Sequence, residues 1–324
     1  MTDVLTIPRK DGNAGVTKVA VRRRKRPARP AWEEPPTTVG QAAKGLTFAG
    51  VLAVVFVPLW IVVVTSLSTQ AAINRAGGLV IWPDGLTLEA YSQMLADTTV
   101  RSALLVSLGI TVAGTAVSMA VSVLCAYGLS RSRSFGHRFL LTLLVVTMFV
   151  SGGLIPTFLV VTGLGGYGQW WALILPGAVS VFNILVLRSF YASTSADLIE
   201  AARIDGAGDW RILWSIVLPT SRAVTAVVAL FYGVGYWNSF FNVMLYMPTD
   251  SEKWPLQYVL FTYVSRGNGM PGSVNAGFGT LEAQTAPLAL QMAVVVLTLV
   301  PLLIVYPFMQ KHFRTGVLTG AIKG

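Results

Sequence analysis

The sequence predicts an all-α integral membrane protein with six transmembrane helices, a two-helix loop in the cytoplasm and both termini in the cytoplasm. Of the 324 residues, 54% are hydrophobic and 12% are charged, whereas soluble domains usually carry about 25% charged residues. The apolar residues form runs of roughly 18 or more, the length that crosses a bilayer as a helix. The basic residues flank these runs unevenly, which predicts how the chain is oriented in the membrane.

Six apolar stretches are the predicted spans. The third contains Gly152, Gly153 and Pro156, which favour a kink or a local unwinding where neighbouring helices can satisfy the freed backbone groups. Together the stretches define a transmembrane domain at residues 45–309. The individual spans are predicted at residues 45–68, 101–129, 139–162, 170–190, 222–245 and 286–309.

A basic tail, residues 1–44, precedes the first span. It carries ten of the 24 Lys and Arg, and its like charges and prolines predict disorder. Two interpretations stay open: the tail contacts anionic lipid headgroups, or it serves only as an orientation signal. The first apolar run is long enough to span and follows a long polar segment, so we expect an uncleaved first helix rather than a signal peptide.

Positive charge predicts that both termini face the cytoplasm. In that orientation 20 of the 24 Lys and Arg lie on the cytoplasmic side and four lie outside, as the positive-inside rule requires. Orientation thereby explains the net charge of +10, and no nucleic-acid partner is indicated. Residues 310–324 are predicted as a cytoplasmic tail. Residues 69–100 and 247–285 are the larger outer segments, and the aromatic residues of the second predict a short helix that is either an interfacial anchor or a docking site.

The cytoplasmic segment at about residues 190–221 is long for a connection between two spans. Ser195 and Asp209 are predicted to cap two short helices, with a left-handed turn at Gly206 or Gly208 between them. Pro219, beyond the second helix, predicts a bend before the fifth span. An amphipathic helix pair of this kind can lie on lipid or fit a groove on a partner protein.

Seven residues of this loop stand at a distinctive spacing: Glu200, Ala201, Ala202, Gly206, Ile216, Leu218 and Pro219. The pattern Glu-Ala-Ala, three residues, Gly, nine residues, then Ile-x-Leu-Pro resembles that of the permease subunits of ABC importers, and every fixed position matches. Residues 230–241 look like the carbohydrate-type permeases, and residues 305–324 look like the oligosaccharide subgroup. The likeness covers about residues 45–324.

The resemblance implies that the loop couples this chain to a separate ATPase. In that family it sits in a groove on a cytoplasmic ATPase subunit and carries ATP-driven closure into the membrane. Carried over, Glu200 offers a charge to a basic partner residue, Gly206 permits the turn, and Asp205 joins the seven motif residues as a coupling residue. The alternative interpretation is that Glu200 is merely solvated and Gly206 merely ends a helix.

The partners follow from the same resemblance. The chain has no G-x-x-x-x-G-K-[ST] phosphate loop, so we expect ATP hydrolysis on two cytoplasmic ATPase subunits and not here. A second permease subunit, different in most of the family, and an extracytoplasmic solute-binding lipoprotein are also implied, with membrane lipid around them. No cofactor is expected, and no metal site, because the two histidines, His137 and His312, lie in different segments.

Aromatic and amide side chains of the fourth and fifth spans form the predicted solute pathway. Aromatic rings can cover the C–H faces of a sugar, and amides can exchange hydrogen bonds with its hydroxyls. The other interpretation is that these side chains only pack helices together. The predicted pathway residues are Tyr236, Trp237, Asn238, Phe241, Asn242 and Asn183.

The sequence therefore predicts a transmembrane subunit of an ATP-driven importer of a sugar or oligosaccharide in the bacterial plasma membrane. The same importer class with a peptide or amino-acid solute stays open. An ion-coupled secondary transporter is disfavoured, because the middles of the spans lack Asp, Glu, Lys and Arg. An intramembrane enzyme is disfavoured because we find no catalytic constellation and hence predict no catalytic residue.

Overall fold

The computed structural model describes residues 37–131, 136–150, 152–193, 196–266 and 288–320, and the named elements within these ranges are helices. The chain divides into two units, residues 1–56 and 57–324. The described part of the first unit is the beginning of helix α1, Thr38–Ser66, an apolar helix whose end lies in the second unit.

Two short helices follow α1 within the second unit: α2, Gln70–Arg75, and α3, Glu89–Ala96. The end of α1 holds this segment by hydrogen bonds. Thr65 Oγ1 accepts a bond from the Val80 N–H at 3.0 Å, and the hydroxyls of Ser66 and Tyr91 lie 2.7 Å apart. These bonds satisfy buried polar groups that would otherwise be costly in an apolar setting.

Helix α4, Thr98–Ser130, packs against the helices that carry the candidate site. Asp97 caps it, since its Oδ1 accepts bonds from the backbone N–H of Thr99 at 2.6 Å and of Val100 at 3.3 Å. Its buried face recurs every three or four residues and is built largely from small side chains. In a membrane helix such residues let neighbouring backbones approach closely. The small residues of this face include Ala103, Ser107, Gly114, Ser118, Ser122 and Ala126.

The third predicted span is interrupted as the sequence suggested. It consists of α5, His137–Phe149, and α6, Leu154–Gly163. Gly153 precedes α6 with a φ of 80°, a backbone conformation that favours glycine. The predicted interruption at the glycines is therefore confirmed.

The fourth predicted span is also broken, although the sequence predicts it as a single helix. It comprises α7, Trp171–Ile174, a 3₁₀ turn, Leu175–Gly177, and α8, Val181–Ala192, with a bend of 53°. Pro176 lies in the turn, where it lacks an N–H and its ring excludes the carbonyl four residues earlier. Ser180 then caps α8, because its Oγ accepts a bond from the Asn183 N–H at 3.4 Å.

After residue 193 the described ranges contain seven further helices, a π-helical stretch and a 3₁₀ turn. The predicted fifth span, residues 222–245, is α12 followed by a separate α13, since α12 ends at Trp237. The last helix continues beyond the predicted end of the sixth span, to Gly320. In order, the elements are α9, Ala196–Ile204, α10, Asp209–Ile212, the π-helical stretch Leu213–Val217, α11, Leu218–Thr220, α12, Arg222–Trp237, α13, Phe241–Tyr246, the 3₁₀ turn Ser251–Lys253, α14, Leu256–Arg266, and α15, Leu288–Gly320.

The described ranges contain between three and six candidate spans. Helices α1 and α4 and the stretch Leu288–Pro307 of α15 are each long and apolar enough to cross a membrane. Three bent helix pairs qualify if each counts as one span: α5 with α6, α7 with α8, and Asp209–Thr220 with α12. The fold is thus that of an all-helical membrane protein.

Candidate functional site

The first helix of the loop, α9, ends in a tight turn at Gly206. Its φ is 78°, and the N–H groups of Gly206 and Ala207 bond the carbonyls of Arg203 at 3.0 Å and Ala202 at 2.8 Å. This pair of bonds is the Schellman arrangement, which satisfies the last carbonyls of a helix and puts a glycine at the left-handed position. The left-handed turn predicted at this glycine is confirmed, whereas the predicted cap at Ser195 lies outside the described residues.

Helix α9 has an inner and an outer face. Ile199 and Ala202 are half-buried and pack against the hydrophobic core, as does Ala207 beyond the turn. Glu200 and Asp205 are exposed on the outer side, together with Ala201 and Gly206. The acidic group of the motif is therefore free to meet another molecule.

Large apolar side chains of the same loop are exposed as well. Ile204 is 82% exposed, and Trp210 and Trp214 are each 65% exposed, with Leu198 also exposed. A loop that exposes several large apolar groups offers a surface for a partner or a membrane to cover. We call Leu198, Glu200, Ile204, Trp210 and Trp214 the loop surface.

The second helix of the loop begins differently from the prediction. Asp209 is its first residue and Gly208 its N-cap, and the cap makes no side-chain bond. The expectation that the Asp209 side chain caps a helix starting at Trp210 is wrong. Its carboxylate instead bonds the guanidinium of Arg131, with 2.6 Å between Oδ1 and Nη1, a pairing in which both partners are charged.

The Arg131 cluster, which consists of Tyr127, Arg131, Arg203 and Asp209, ties the loop to the end of α4. The guanidinium of Arg131 lies 4.5 Å from the ring centroid of Tyr127 and also bonds its hydroxyl. That hydroxyl donates to the backbone carbonyl of Asp209 at 3.0 Å, and Arg203 Nη2 lies 4.0 Å from Asp209 Oδ1. Sequence reasoning missed this cluster, because Arg131 and Asp209 are 78 positions apart.

The end of the motif forms a widened helix and a sharp bend. From Leu213 to Val217 the helix is π-helical, and the Leu218 N–H bonds the Leu213 carbonyl. Pro219 has no N–H to offer, and its ring excludes the carbonyl of Ser215, so a widened turn relieves the clash. The chain then turns by 88° into α12, which confirms the bend predicted beyond Pro219.

Ile216, Leu218 and Pro219 are half-buried. These three motif residues therefore pack within the chain, while Glu200 and Gly206 face outward. The motif is divided between an outer part on the loop surface and an inner part just before the start of α12.

The predicted pathway residues separate into two groups. Tyr236 and Trp237 are buried, and their polar atoms are bonded within the chain: Tyr236 Oη to Ser118 Oγ at 2.8 Å, and Trp237 Nε1 to the Thr298 carbonyl at 3.0 Å. Asn183 is also buried, on α8.

The second group follows the end of α12. Asn238 and Phe241 are exposed and Asn242 is half-buried. The amide of Asn238 donates to the Val234 carbonyl at 3.0 Å and accepts from Gln257 Nε2 at 3.4 Å, so it already links α12 to α14. These three residues are the accessible members of the predicted set.

A cavity of about 440 Å³ adjoins α4, α12 and α15. Trp237 lines it with Thr111, and aliphatic side chains such as Leu230 and Leu302 make up most of the wall. Such a lining suits an apolar occupant better than a sugar, which needs several hydrogen-bonding groups. Within the described ranges, no group of three or more His, Cys, Asp or Glu could hold a metal ion.

Comparison with known proteins connects this geometry to one family. The family described as "Binding-protein-dependent transport system inner membrane component" matches residues 116–319, which include the whole loop. The polygalacturonan/rhamnogalacturonan transport system permease protein YtcP of Bacillus subtilis (strain 168) is 44% identical over 246 residues, which are 76% of this chain and 85% of YtcP. Protein LplC of the same organism is 39% identical over 282 residues, 86% of this chain and 93% of LplC.

A solved structure agrees with the sequence relatives. The crystal structure of a bacterial ABC transporter involved in the import of the acidic polysaccharide alginate contains a chain with a TM-score of 0.77 and 29% identity. The match covers 86% of this chain and 100% of that one. The chain therefore belongs to the family of binding-protein-dependent transport system inner membrane components, and it is a multi-pass permease subunit of an ABC importer rather than an enzyme.

Proposed function

We propose that this permease imports an oligosaccharide, and that residues 190–221 couple it to two cytoplasmic ATPase subunits. The observation that carries the coupling role is the loop surface, where apolar side chains and the Glu200 carboxylate stand exposed beside the Gly206 turn. An exposed amphipathic helix fits a groove on a partner through its apolar side chains. The solute class is supported by the sugar polymers in the names of YtcP and the alginate transporter.

In this proposal the chain crosses the membrane six times, with both termini in the cytoplasm. Counting each bent helix pair as one span gives six candidates, which supports this topology. The positive-inside distribution of Lys and Arg supports the orientation. The basic tail is then residues 1–44, the transmembrane domain residues 45–309, and the C-terminal tail residues 310–324.

The coupling residues have distinct roles in the proposal. Glu200 and Asp205 offer charge to a basic groove on the ATPase, and Ala201 is small enough for close approach there. Ala202 packs α9 against the core. Gly206 sets the direction of the turn. Ile216, Leu218 and Pro219 join the loop to α12. A displacement of the loop surface by the ATPase therefore moves α12 through the bend.

The solute pathway is proposed along the end of α12. Asn238, Phe241 and Asn242 are accessible there and combine amides with an aromatic ring, the groups that bind sugars. Tyr236, Trp237 and Asn183 are buried and are proposed as supporting residues. A second permease subunit completes the pathway, and a solute-binding lipoprotein meets the outer segments, residues 69–100 and 247–285.

Purification of the tagged chain from its native membrane in gentle detergent, with partners identified by mass spectrometry, tests the assembly. We expect an ATPase, a second permease and a lipid-anchored binding protein. The binding protein is then screened against neutral oligosaccharides, acidic oligosaccharides, peptides and amino acids. Binding of a peptide or an amino acid alone would replace the proposed solute, and reproducible recovery of this chain alone would contradict the coupling role.

A further inference from the structure

Two tyrosines of α12 reach across to the break in the fourth span. Tyr232 and Tyr236 are four residues apart, so they lie one above the other on one face of the helix, and both are buried. Each hydroxyl bonds a serine of α4 and also a backbone group at an edge of the break between α7 and α8.

Tyr232 holds the α8 side of the break. Its hydroxyl accepts the backbone N–H of Ser180 at 3.1 Å, at the cap position of α8, and lies 2.7 Å from the Ser122 hydroxyl. A broken helix in a membrane leaves backbone groups that need a partner inside the protein. The Tyr232 hydroxyl supplies one for an N–H that the break has freed.

Tyr236 holds the α7 side of the break. Its hydroxyl donates to the Ile174 carbonyl at 3.0 Å and lies 2.8 Å from the Ser118 hydroxyl. A phenol has one proton, so Ser118 is the donor to Tyr236 in this arrangement. The two tyrosines thus satisfy an acceptor on one edge of the break and a donor on the other.

Close packing of α4 against α12 fixes the position of these rings. A Cβ placed on Gly114 would lie 2.8 Å from ring atoms of Tyr236, so only glycine leaves room for the ring there. Ser118 and Ser122 follow Gly114 at four-residue spacing on the same buried face of α4. The hydroxyls therefore meet in a fixed register.

Helix α12 joins these bonds to the loop. It begins at Arg222, just after the 88° bend, and runs unbroken to Trp237. Tyr232 and Tyr236 lie ten and fourteen residues beyond its start, or roughly 15–21 Å along the helix axis. A displacement of the bend therefore moves both hydroxyls together with the helix.

We propose that Tyr232 and Tyr236 are positioning residues that carry movement of the loop into the broken fourth span. Through these two hydroxyls, α12 is hydrogen-bonded to both edges of the break, so α7 and α8 move with α12 when the loop is displaced. The inference rests on the proposed coupling function. It adds that the fourth span is the moving part and that two hydrogen bonds, in addition to packing, deliver the movement.

The test uses the assembled importer in proteoliposomes, with uptake and ATP hydrolysis measured together. We expect the double variant Tyr232→Phe/Tyr236→Phe to take up about tenfold less solute per ATP hydrolysed, because loss of bonds to buried backbone groups shifts the coupled equilibrium by about that factor. Thr162→Val is the control. It removes a hydroxyl of α6 that bonds the Phe158 carbonyl at 2.8 Å and touches neither edge of the break.

A second readout reports on the break itself. Cys125 is the chain's one cysteine, so Cys125→Ser with Ala178→Cys places a single thiol in the break, at a position that is 4% exposed. A membrane-permeant maleimide should label Ala178→Cys about tenfold faster when both tyrosines are phenylalanine, and no faster with Thr162→Val. Where the double variant assembles poorly, the two single variants serve for both readouts.

The outcomes separate this inference from the proposed function. Unchanged labelling and an unchanged ratio of uptake to ATP hydrolysis in the double variant would overturn the role of the tyrosines while leaving the loop's coupling role intact. Absence of ATP-driven uptake by the wild-type assembly would overturn the proposed function. Faster labelling in the double variant with an unchanged ratio would show that the bonds only stabilise the break, and this too would contradict the inference.

Discussion

Gly206 turns the loop with a φ of 78°, in the left-handed region where a Cβ costs about 1–2 kcal/mol. A Cβ built there meets no atom within 4 Å, so a substitution would strain the backbone and not the packing. The direction in which the loop surface faces thus depends on the conformation of one residue. The sequence could predict this turn, because the preference for glycine at such positions is local.

Replacing Gly206 tests that dependence. We expect Gly206→Val to lower ATP-driven uptake about tenfold, since the β-branched residue resists the left-handed conformation by an amount that corresponds to a factor of this size. Gly206→Asn is the matched control, because asparagine adopts this conformation more readily. It should retain most of the uptake, measured in membrane vesicles with equal amounts of assembled complex. Equal loss in both variants would show that the side chain, and not the backbone turn, is at fault.

The ion pair between Asp209 and Arg131 can be tested by substitution. The Asp209 side chain is 67% exposed and that of Arg131 is 22% exposed, so their ion pair contributes about 0.5–1 kcal/mol. We expect Asp209→Ala and Arg131→Ala each to reduce uptake about two- to fivefold. The double variant should be little worse than either single one, because both remove the same contact.

The outer ion pair Arg75–Asp84 is the matched control for this cycle. Its nitrogen and oxygen lie 2.9 Å apart, and both side chains are more than 60% exposed. Alanine at both positions should leave the amount of solute taken up per ATP hydrolysed unchanged, since the pair lies outside the coupling loop. Additive losses from Arg131 and Asp209 would contradict the proposed link between α4 and the loop.

The secondary structure of this permease differs from that of a simple helical bundle because several of its apolar helices are broken. The break in the third span could be predicted, because Gly152, Gly153 and Pro156 stand together in an apolar run. The break in the fourth span at Pro176 was missed, since one proline can either kink a helix or end it. Its partners on α12 are 52 and 62 residues away and leave no local signal.

Pro219→Ala tests the role of the π-helical stretch and the bend that follows it. Alanine there restores an N–H that can bond the Ser215 carbonyl, so the π-helical stretch should tighten into an α-helix. The change should stabilise the local helix by up to about 3 kcal/mol, yet lower uptake because the bend into α12 is displaced. Thermal melting of the purified complex and uptake in proteoliposomes measure the two effects. A fall in both would indicate a general loss of structure and not an altered bend.

Orientation in the membrane is a property of the whole molecule. The uneven distribution of Lys and Arg predicts it from sequence, since it is a sum over many residues and tolerates errors at any one of them. The contacts of the Arg131 cluster could not be predicted in this way, because they depend on how α4 and the loop pack. Hydrophobic runs also give the number of apolar stretches, but not how many helices each contains.

Single cysteines test the orientation. In a Cys125→Ser background, Ser92→Cys on α3 should react with a membrane-impermeant maleimide added to intact spheroplasts. Ser193→Cys, at the start of the loop, should react only after the membrane is permeabilised. Both serines are exposed, and both substitutions change one atom, so differences in reactivity report the side of the membrane. Reaction of Ser193→Cys in intact spheroplasts would invert the proposed topology.

In the proposed function, the exposed Glu200 face of the loop couples ATP hydrolysis to import. It is tested by ATP-driven uptake of the screened oligosaccharide by the reconstituted assembly, with Glu200→Lys compared with wild type and with Arg138→Glu, an exposed position on α5, as a control for charge reversal. We expect Glu200→Lys to abolish most uptake and Arg138→Glu to retain it. Wild-type uptake by a correctly assembled Glu200→Lys importer would contradict the coupling role of the loop.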